Sequence, residues 1–361
     1  MTSLVFSYSH ADEALRNELE KHLSPLKRTG KITTWHDRRI IPGQEFENQI
    51  YLATMPYVRE PKGLYAPIEY VLSLGGKRIR PVLMLLSYQL YKENVDDILP
   101  QAAGIETYHN YTLLHDDLMD CADMRRNKPT VHKVWDENTA ILSGDAMLVL
   151  AYRLMNNCPE RYLKQVMDIF SQTALEICEG QQWDMEFETR NDVTVPEYME
   201  MIRLKTSVLL SAALKIGAVL GGASEDDARK LYDFGIKMGL AFQLQDDYLD
   251  VYGDSKVFGK NIGGDILCNK KTFMLINALA LADGIQRKEL EKWIASTAFC
   301  PEEKIKAVTA LYDKIGIGGI CEEKINAYYV EGLSLLESMA VPSERKEELK
   351  SFVCHLMNRK V

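Results

Sequence analysis

Leu240-Ala241-Phe242-Gln243-Leu244-Gln245-Asp246-Asp247-Tyr248-Leu249-Asp250 places an Asp-Asp-x-x-Asp cluster inside a helix-compatible run, residues 225–252. A second run, Tyr111-Thr112-Leu113-Leu114-His115-Asp116-Asp117-Leu118-Met119-Asp120, ends on the same pattern. Residues four apart share one face of a helix, so Asp116 points with Asp120 and Asp246 with Asp250. Carboxylates crowded on one turn repel unless water or a cation separates them. A single such cluster is most often a solvated acidic turn. Two, both amid apolar residues, call for partners, because carboxylates rarely stand beside a core without them. Mg2+ takes oxygen ligands and binds through one or two carboxylates plus substrate phosphates. Two clusters facing each other would cage a magnesium-bound diphosphate.

Outward from these clusters the texture is helical. Helix-period apolar stretches recur at 64–74, 81–92, 101–120, 137–155, 161–189, 196–221, 225–252, 272–282, 286–296, 302–315, 320–339 and 344–358. Gly75-Gly76, Pro129, Pro159, Pro196, Gly221-Gly222, Gly263-Gly264 and Pro301 break them. Strand alternation is almost absent beyond residue 50. The expected class is all-α, a large bundle whose sites are built from side chains on facing helices. Residues 1–50 differ: Leu4-Val5-Phe6 and Ile32-Thr33-Thr34-Trp35 read as strands, Ala11 to Leu26 as an amphipathic helix, and Ile41-Pro42-Gly43-Gln44 as a turn. This is a truncated β-α-β segment, too short to bury a competent core. The expected division is 1–50 and 51–361.

Composition narrows the partners. The 361 residues carry a net charge of −9, which argues against nucleic acid. Seven scattered cysteines with no Cys-x-x-Cys pair fit a reducing cytoplasm and indicate neither a disulfide framework nor zinc. The N-terminus has no long apolar segment of signal-peptide type. The most apolar stretch, Ser207 to Gly222, is interrupted by Lys215, so a soluble protein without stable membrane insertion is expected.

Basic residues flank both clusters. In Gly75-Gly76-Lys77-Arg78-Ile79-Arg80-Pro81 the glycines end one helix and Pro81 suits the first turn of the next, leaving Lys77 and Arg80 near a helix start that favours anions. Arg125-Arg126 follows the first cluster, and guanidinium forks bind phosphate bidentately. Lys205-Thr206 sits mid-helix, and Gln243 lies one turn before the second cluster. Beyond it, Gly259-Lys260, Gly263-Gly264-Asp265 and Lys270-Lys271 suggest a basic lid. A basic turn or solvated loop is the plain alternative for each of these taken singly. His109 lies two turns before Asp116 on about the same face; neither His109 nor His115 has the grouped ligands of a zinc site, and His115 reads as structural.

These motifs, in this order and spacing, resemble the trans-isoprenyl diphosphate synthases over residues 52–361. The resemblance implies an isoprenoid synthase fold, an all-α bundle around a central cavity, and a homodimer. It implies three Mg2+ ions between Asp116, Asp117, Asp120 and Asp246, Asp247, Asp250. With Arg125, Lys205 and Lys260 these would hold an allylic diphosphate. Isopentenyl diphosphate would sit on Lys77, Arg80, His109 and Arg126. Thr206, Gln243 and the carbonyl near Lys205 would face a developing carbocation, and Lys270 would help close the lid. The implied reaction is head-to-tail condensation. Fixing two substrates in register can supply about 7–11 kcal/mol of the barrier. Aromatic faces such as Tyr111 and Phe242 could add roughly 0.5–2 kcal/mol each toward a cation. In this family an aromatic residue five or four positions before the first cluster limits product length. Tyr111 and Thr112 occupy those places, one aromatic and one small, which implies twenty-carbon products, with fifteen-carbon products as the neighbouring alternative.

Residues 3–50 resemble the start of a bacterial TIR domain, through Phe6-Ser7-Tyr8-Ser9-His10-Ala11-Asp12-Glu13 and Thr34-Trp35-His36-Asp37-Arg38-Arg39-Ile40-Ile41-Pro42-Gly43. The match covers only the first strand, first helix, second strand and following loop. The helix bearing that family's catalytic glutamate is missing, and one apolar residue is absent after Phe6, which would flip the strand's faces. The segment reads as a fusion remnant or a gene-boundary artefact, without function. NAD hydrolysis or TIR signalling is the rival activity from another class. A terpene cyclase, which would share a magnesium cage but needs no second diphosphate site, is another.

Overall fold

In the computed structural model, which describes residues 2–6, 32–36, 60–253 and 262–357, the helix-period runs fold as helices. In chain order these are α1 (Lys62–Ser73), α2 (Ile79–Gln89), α3 (Leu99–Met119), α4 (Val131–Val134), α5 (Glu137–Met155), α6 (Glu160–Thr189), α7 (Val195–Ile202), α8 (Val208–Gly221), α9 (Glu225–Tyr252), α10 (Gly264–Leu267), α11 (Phe273–Leu281), α12 (Gly284–Ala295), α13 (Pro301–Ile315), α14 (Ile317–Glu337) and α15 (Ser343–Met357). The all-α expectation is borne out. The chain divides into two units, Met1–Arg78 with Glu106–Leu154, and Ile79–Ile105 with Met155–Val361.

In the first unit, β1 (Thr2–Phe6) and β2 (Ile32–His36) pair in parallel, with Leu4 opposite Thr34. The strands fall where expected; the Ala11–Leu26 helix, the turn at 41–44 and the boundary at residue 50 lie outside the described residues. Helix α1 ends ahead of Gly75 and Gly76, whose φ values of 75° and 139° suit glycine alone. After α3, β3 (Met124–Arg125) and β4 (Lys128–Pro129) form an antiparallel hairpin. Its two loop residues, Arg126 and Asn127, both have positive φ, the hand that matches strand twist. Sequence reading missed this hairpin because no glycine marks the turn. The Tyr70 hydroxyl donates to the Pro129 carbonyl at 2.7 Å, and the Tyr70 ring meets Trp135 edge-on at 5.4 Å, which fixes the hairpin to α1.

The second unit is organised around α8, in which every residue but Lys215 is buried. Each buried Val, Leu or Ile there contributes about 1.5–3 kcal/mol. Val195–Gly221 is apolar and long enough to span a membrane by composition, yet 83% of its most apolar window is buried within the protein, as in a core helix. The run expected at 196–221 is not one helix. A π-helical turn, Arg203–Ser207, interrupts it, and the Val208 amide donates back to the Arg203 carbonyl. Two glycines make room for this turn: a Cβ on Gly180 would strike the Lys205 amide, and one on Gly239 would lie 2.6 Å from Ser207 Cα.

Candidate active site

Helix α3 positions the first cluster. Asn110, Leu114 and Asp117 recur along its buried stripe, so the middle carboxylate of the cluster points inward while Asp120 is exposed. Arg125, on β3, holds Asp117 bidentately: Nη2 reaches Oδ1 at 2.6 Å and Nε reaches Oδ1 and Oδ2 at 2.9 and 3.1 Å. Burial raises the Asp117 pKa; the Arg125 guanidinium opposes the rise and the Asp116 carboxylate adds to it. Asp116 lies 3.8 Å from Arg125.

Of the expected isopentenyl diphosphate groups in this unit, Arg126 and Lys77 lie at the Gly75–Gly76 turn. Arg126 donates to the Gly75 carbonyl, and a Cβ on Gly76 would lie 2.8 Å from its guanidinium carbon. Exposed Lys77 follows directly. The turn is pinned from beneath: buried Arg78 donates to Glu106 at 2.5 Å and to the Leu72 carbonyl at 2.8 Å, and Asn110 donates to the same Glu106 carboxylate at 2.9 Å. His109 is half-buried, and its carbonyl accepts from the Thr112 hydroxyl at 2.8 Å. Tyr111 packs between Tyr108, tilted at 5.4 Å, and His115, edge-on at 4.8 Å. His115 Nε2 lies 3.2 Å from the Ile141 carbonyl and its ring fills the space beside Gly144, so it is a packing residue.

Helix α9 positions the second cluster in the other unit. Leu240, Leu244 and Val251 enter the core, and Asp247 falls on that same stripe. Asp247 accepts from the Tyr198 hydroxyl and from Gln243 Nε2 at 3.2 Å. Its pKa is pushed up to about 7, first by burial and then by the neighbouring Asp265 charge. The Thr206 hydroxyl donates to Gln243 Oε1 at 3.2 Å, so Thr206, Gln243 and Asp247 form one chain. Lys205, presented by the π-helical turn, contacts Asp184 at 2.6 Å. Burial would raise the Asp184 pKa, but Lys270 and Lys205 outweigh it and hold it low. Asp250 accepts from the Asp265 amide at 2.9 Å. Arg80, with Thr206 and Phe242, lines a cavity of about 50 Å³. Lys260 lies outside the described residues.

Asp184, Tyr198, Asp265 and Glu106 were missed as site residues. One signal for Asp184 was available, since it interrupts the buried stripe Ile177, Gly180, Phe187 on α6. Among the described residues no three carboxylate, imidazole or thiol groups converge to hold a cation unaided. The donors are nonetheless those Mg2+ takes, and one or two carboxylates with substrate phosphates suffice for it.

The sequence profile of the polyprenyl synthetase family matches residues 61–312. A short chain isoprenyl diphosphate synthase of Methanocaldococcus jannaschii is 42% identical over 260 residues, 72% of this chain and 79% of that protein. A geranylgeranyl diphosphate synthase of Methanosarcina mazei is 46% identical over 224 residues, 61% of this chain and 69% of the other. A crystal structure of a geranylgeranyl pyrophosphate synthase superposes with a TM-score of 0.82 at 44% identity, covering 88% of this chain and 96% of its own. With its aspartate clusters and their basic neighbours in the family's order, the chain belongs to the polyprenyl synthetase family.

Proposed function

We propose that this chain condenses isopentenyl diphosphate with an allylic diphosphate, head to tail, releasing diphosphate and a short-chain all-trans prenyl diphosphate, twenty carbons favoured over fifteen. One observation carries this reading: each aspartate cluster has its own cationic side chains, Arg125 beside Asp117 and Lys205 with Lys270 about Asp184 and Asp247. Lys77 on the Gly75–Gly76 turn, and Arg126 reaching that turn from the β3–β4 hairpin, supply for a second diphosphate what a terpene cyclase would not need.

Asp116, Asp117, Asp120, Asp246, Asp247 and Asp250 are the residues that would hold Mg2+, three ions by family resemblance. When bound, the ions supply Lewis-acid neutralisation of the leaving diphosphate. Arg125 and Lys205 exchange their carboxylates for phosphate oxygens, and Lys260 and Lys270 add charge. Lys77, Arg80, His109 and Arg126 fix isopentenyl diphosphate. The allylic C–O bond breaks with its electron pair on oxygen. The isopentenyl double bond attacks the cation, and the released diphosphate takes the proton lost. The Thr206 and Gln243 dipoles face the cationic carbon. The reading includes a homodimer through the exposed apolar residues Leu142 and Val149 of α5. It also places the protein in the cytoplasm, in keeping with its seven unpaired cysteines.

Incubation with Mg2+, isopentenyl diphosphate and dimethylallyl, geranyl or farnesyl diphosphate should yield geranylgeranyl diphosphate, and chelation should abolish the reaction. Absence of elongation, or robust NAD cleavage by the same preparation, would overturn the assignment.

A further inference from the structure

Lys304, in the first turn of α13, is a buried ammonium, 1% exposed, that forms no ion pair among the described residues. It donates to Asn269 Oδ1 at 2.7 Å and to the Leu267 carbonyl at 3.3 Å, and lies 4.2 Å from the centre of the Phe299 ring. Burying a charge with only neutral acceptors is costly, and an apolar side chain would pack there more cheaply. Its acceptors belong to one short segment. Leu267 ends α10, and Asn269 follows in the left-handed region at φ 53°, its amide also donating to the Ile294 carbonyl at 3.1 Å. The same segment is tied at its start to the second aspartate cluster: the Gly263 amide donates to the Asp250 carbonyl at 2.6 Å and the Asp265 amide to the Asp250 carboxylate. Lys270 closes it, its amide bonded to the Asp265 carbonyl at 2.9 Å. Lys304, Lys270, Asp265 and Asp247 line one small space of about 10 Å³.

We infer that Lys304 is a positioning residue for the condensation: by gripping Leu267 and Asn269 it sets the backbone from which Lys270 reaches the diphosphate held at the second aspartate cluster. The inference rests on the role given above to Lys270. Its test is steady-state kinetics with geranyl diphosphate varied at saturating isopentenyl diphosphate, and the converse. Lys304→Met is expected to lower kcat/KM for the allylic substrate roughly 10- to 100-fold, the usual scale for outer-shell partners. KM for isopentenyl diphosphate should stay unchanged, and Lys304→Arg should restore most of the loss. Because both substitutions act through one ammonium, Lys304→Met in a Lys270→Ala background should cost nothing further. If Lys304→Met does not fold, Asn269→Gly reads the same link, since it keeps the left-handed backbone and removes the carboxamide with its bonds to Lys304 and the Ile294 carbonyl. Multiplicative losses in the double variant, or an equal rise in both KM values, would overturn the inference while leaving Lys270 its role. An unimpaired Lys270→Ala enzyme would overturn both.

Discussion

The middle aspartate of each cluster does different work from its neighbours. Asp117 and Asp247 continue an apolar stripe and are 5% exposed, whereas Asp116, Asp120, Asp246 and Asp250 stand at the edge of it or beyond. A carboxylate in that position must be given donors, and the fold supplies Arg125 to one and Tyr198 to the other. Tyr111 is likewise set by its neighbours, held between Tyr108 and His115 on the helix that presents the first cluster. Replacing it by alanine should therefore lengthen the products beyond twenty carbons, read by chromatography of extracts made with excess isopentenyl diphosphate. An unchanged distribution would remove Tyr111 as the limit. The clusters themselves were legible because Asp-Asp-x-x-Asp is local and repeats. Tyr198 was not, because its partner Asp247 lies 49 residues away and no local pattern joins them; Asp184 showed only as a break in an apolar stripe, its partner Lys205 standing 21 residues off.

Among the elements, the π-helical turn at Arg203–Ser207 is the least legible and the most specific. Arg203, Leu204 and Lys205 are helix formers, Thr206 and Ser207 weaker ones, and nothing local announces an extra residue in the turn. It exists because α6 and α9 approach it at glycines. Such turns recur at functional sites, and this one carries Lys205 and Thr206. Gly239→Ala should force the turn away from α9, destabilise the protein by about 1–3 kcal/mol in urea unfolding, and lower turnover more than stability. Full turnover in a folded Gly239→Ala protein would mean that the turn is not needed in this form. By contrast α5, α6 and α9 lie within a residue of the ranges their periodicity predicts, since each is long and bounded by proline or glycine in sequence or by a clear polar start.

For the molecule as a whole, the class and the reaction were readable, whereas the homodimer expected from the resemblance came with no surface attached. Leu142 and Val149 on α5 are 60% and 59% exposed, seven residues apart on one helical face. Two large apolar side chains left open two turns apart on one face are a candidate contact surface between copies of the chain. Val149→Glu should convert a dimer to a monomer in sedimentation velocity; an unaltered dimer would place the interface elsewhere. A different whole-molecule property follows from the Arg125 clasp on Asp117. While it is closed, Nε and Nη2 of the guanidinium are turned to the carboxylate instead of to phosphate, and the carboxylate is masked from a cation. Opening it exposes both at once, so the anion that draws Arg125 away prepares the cation's ligand, and the cation that claims Asp117 releases the anion's. Thermodynamic reciprocity then requires each to tighten the other by the same factor. Diphosphate and magnesium should be bound as a cooperative pair, the apparent affinity of each rising with the concentration of the other.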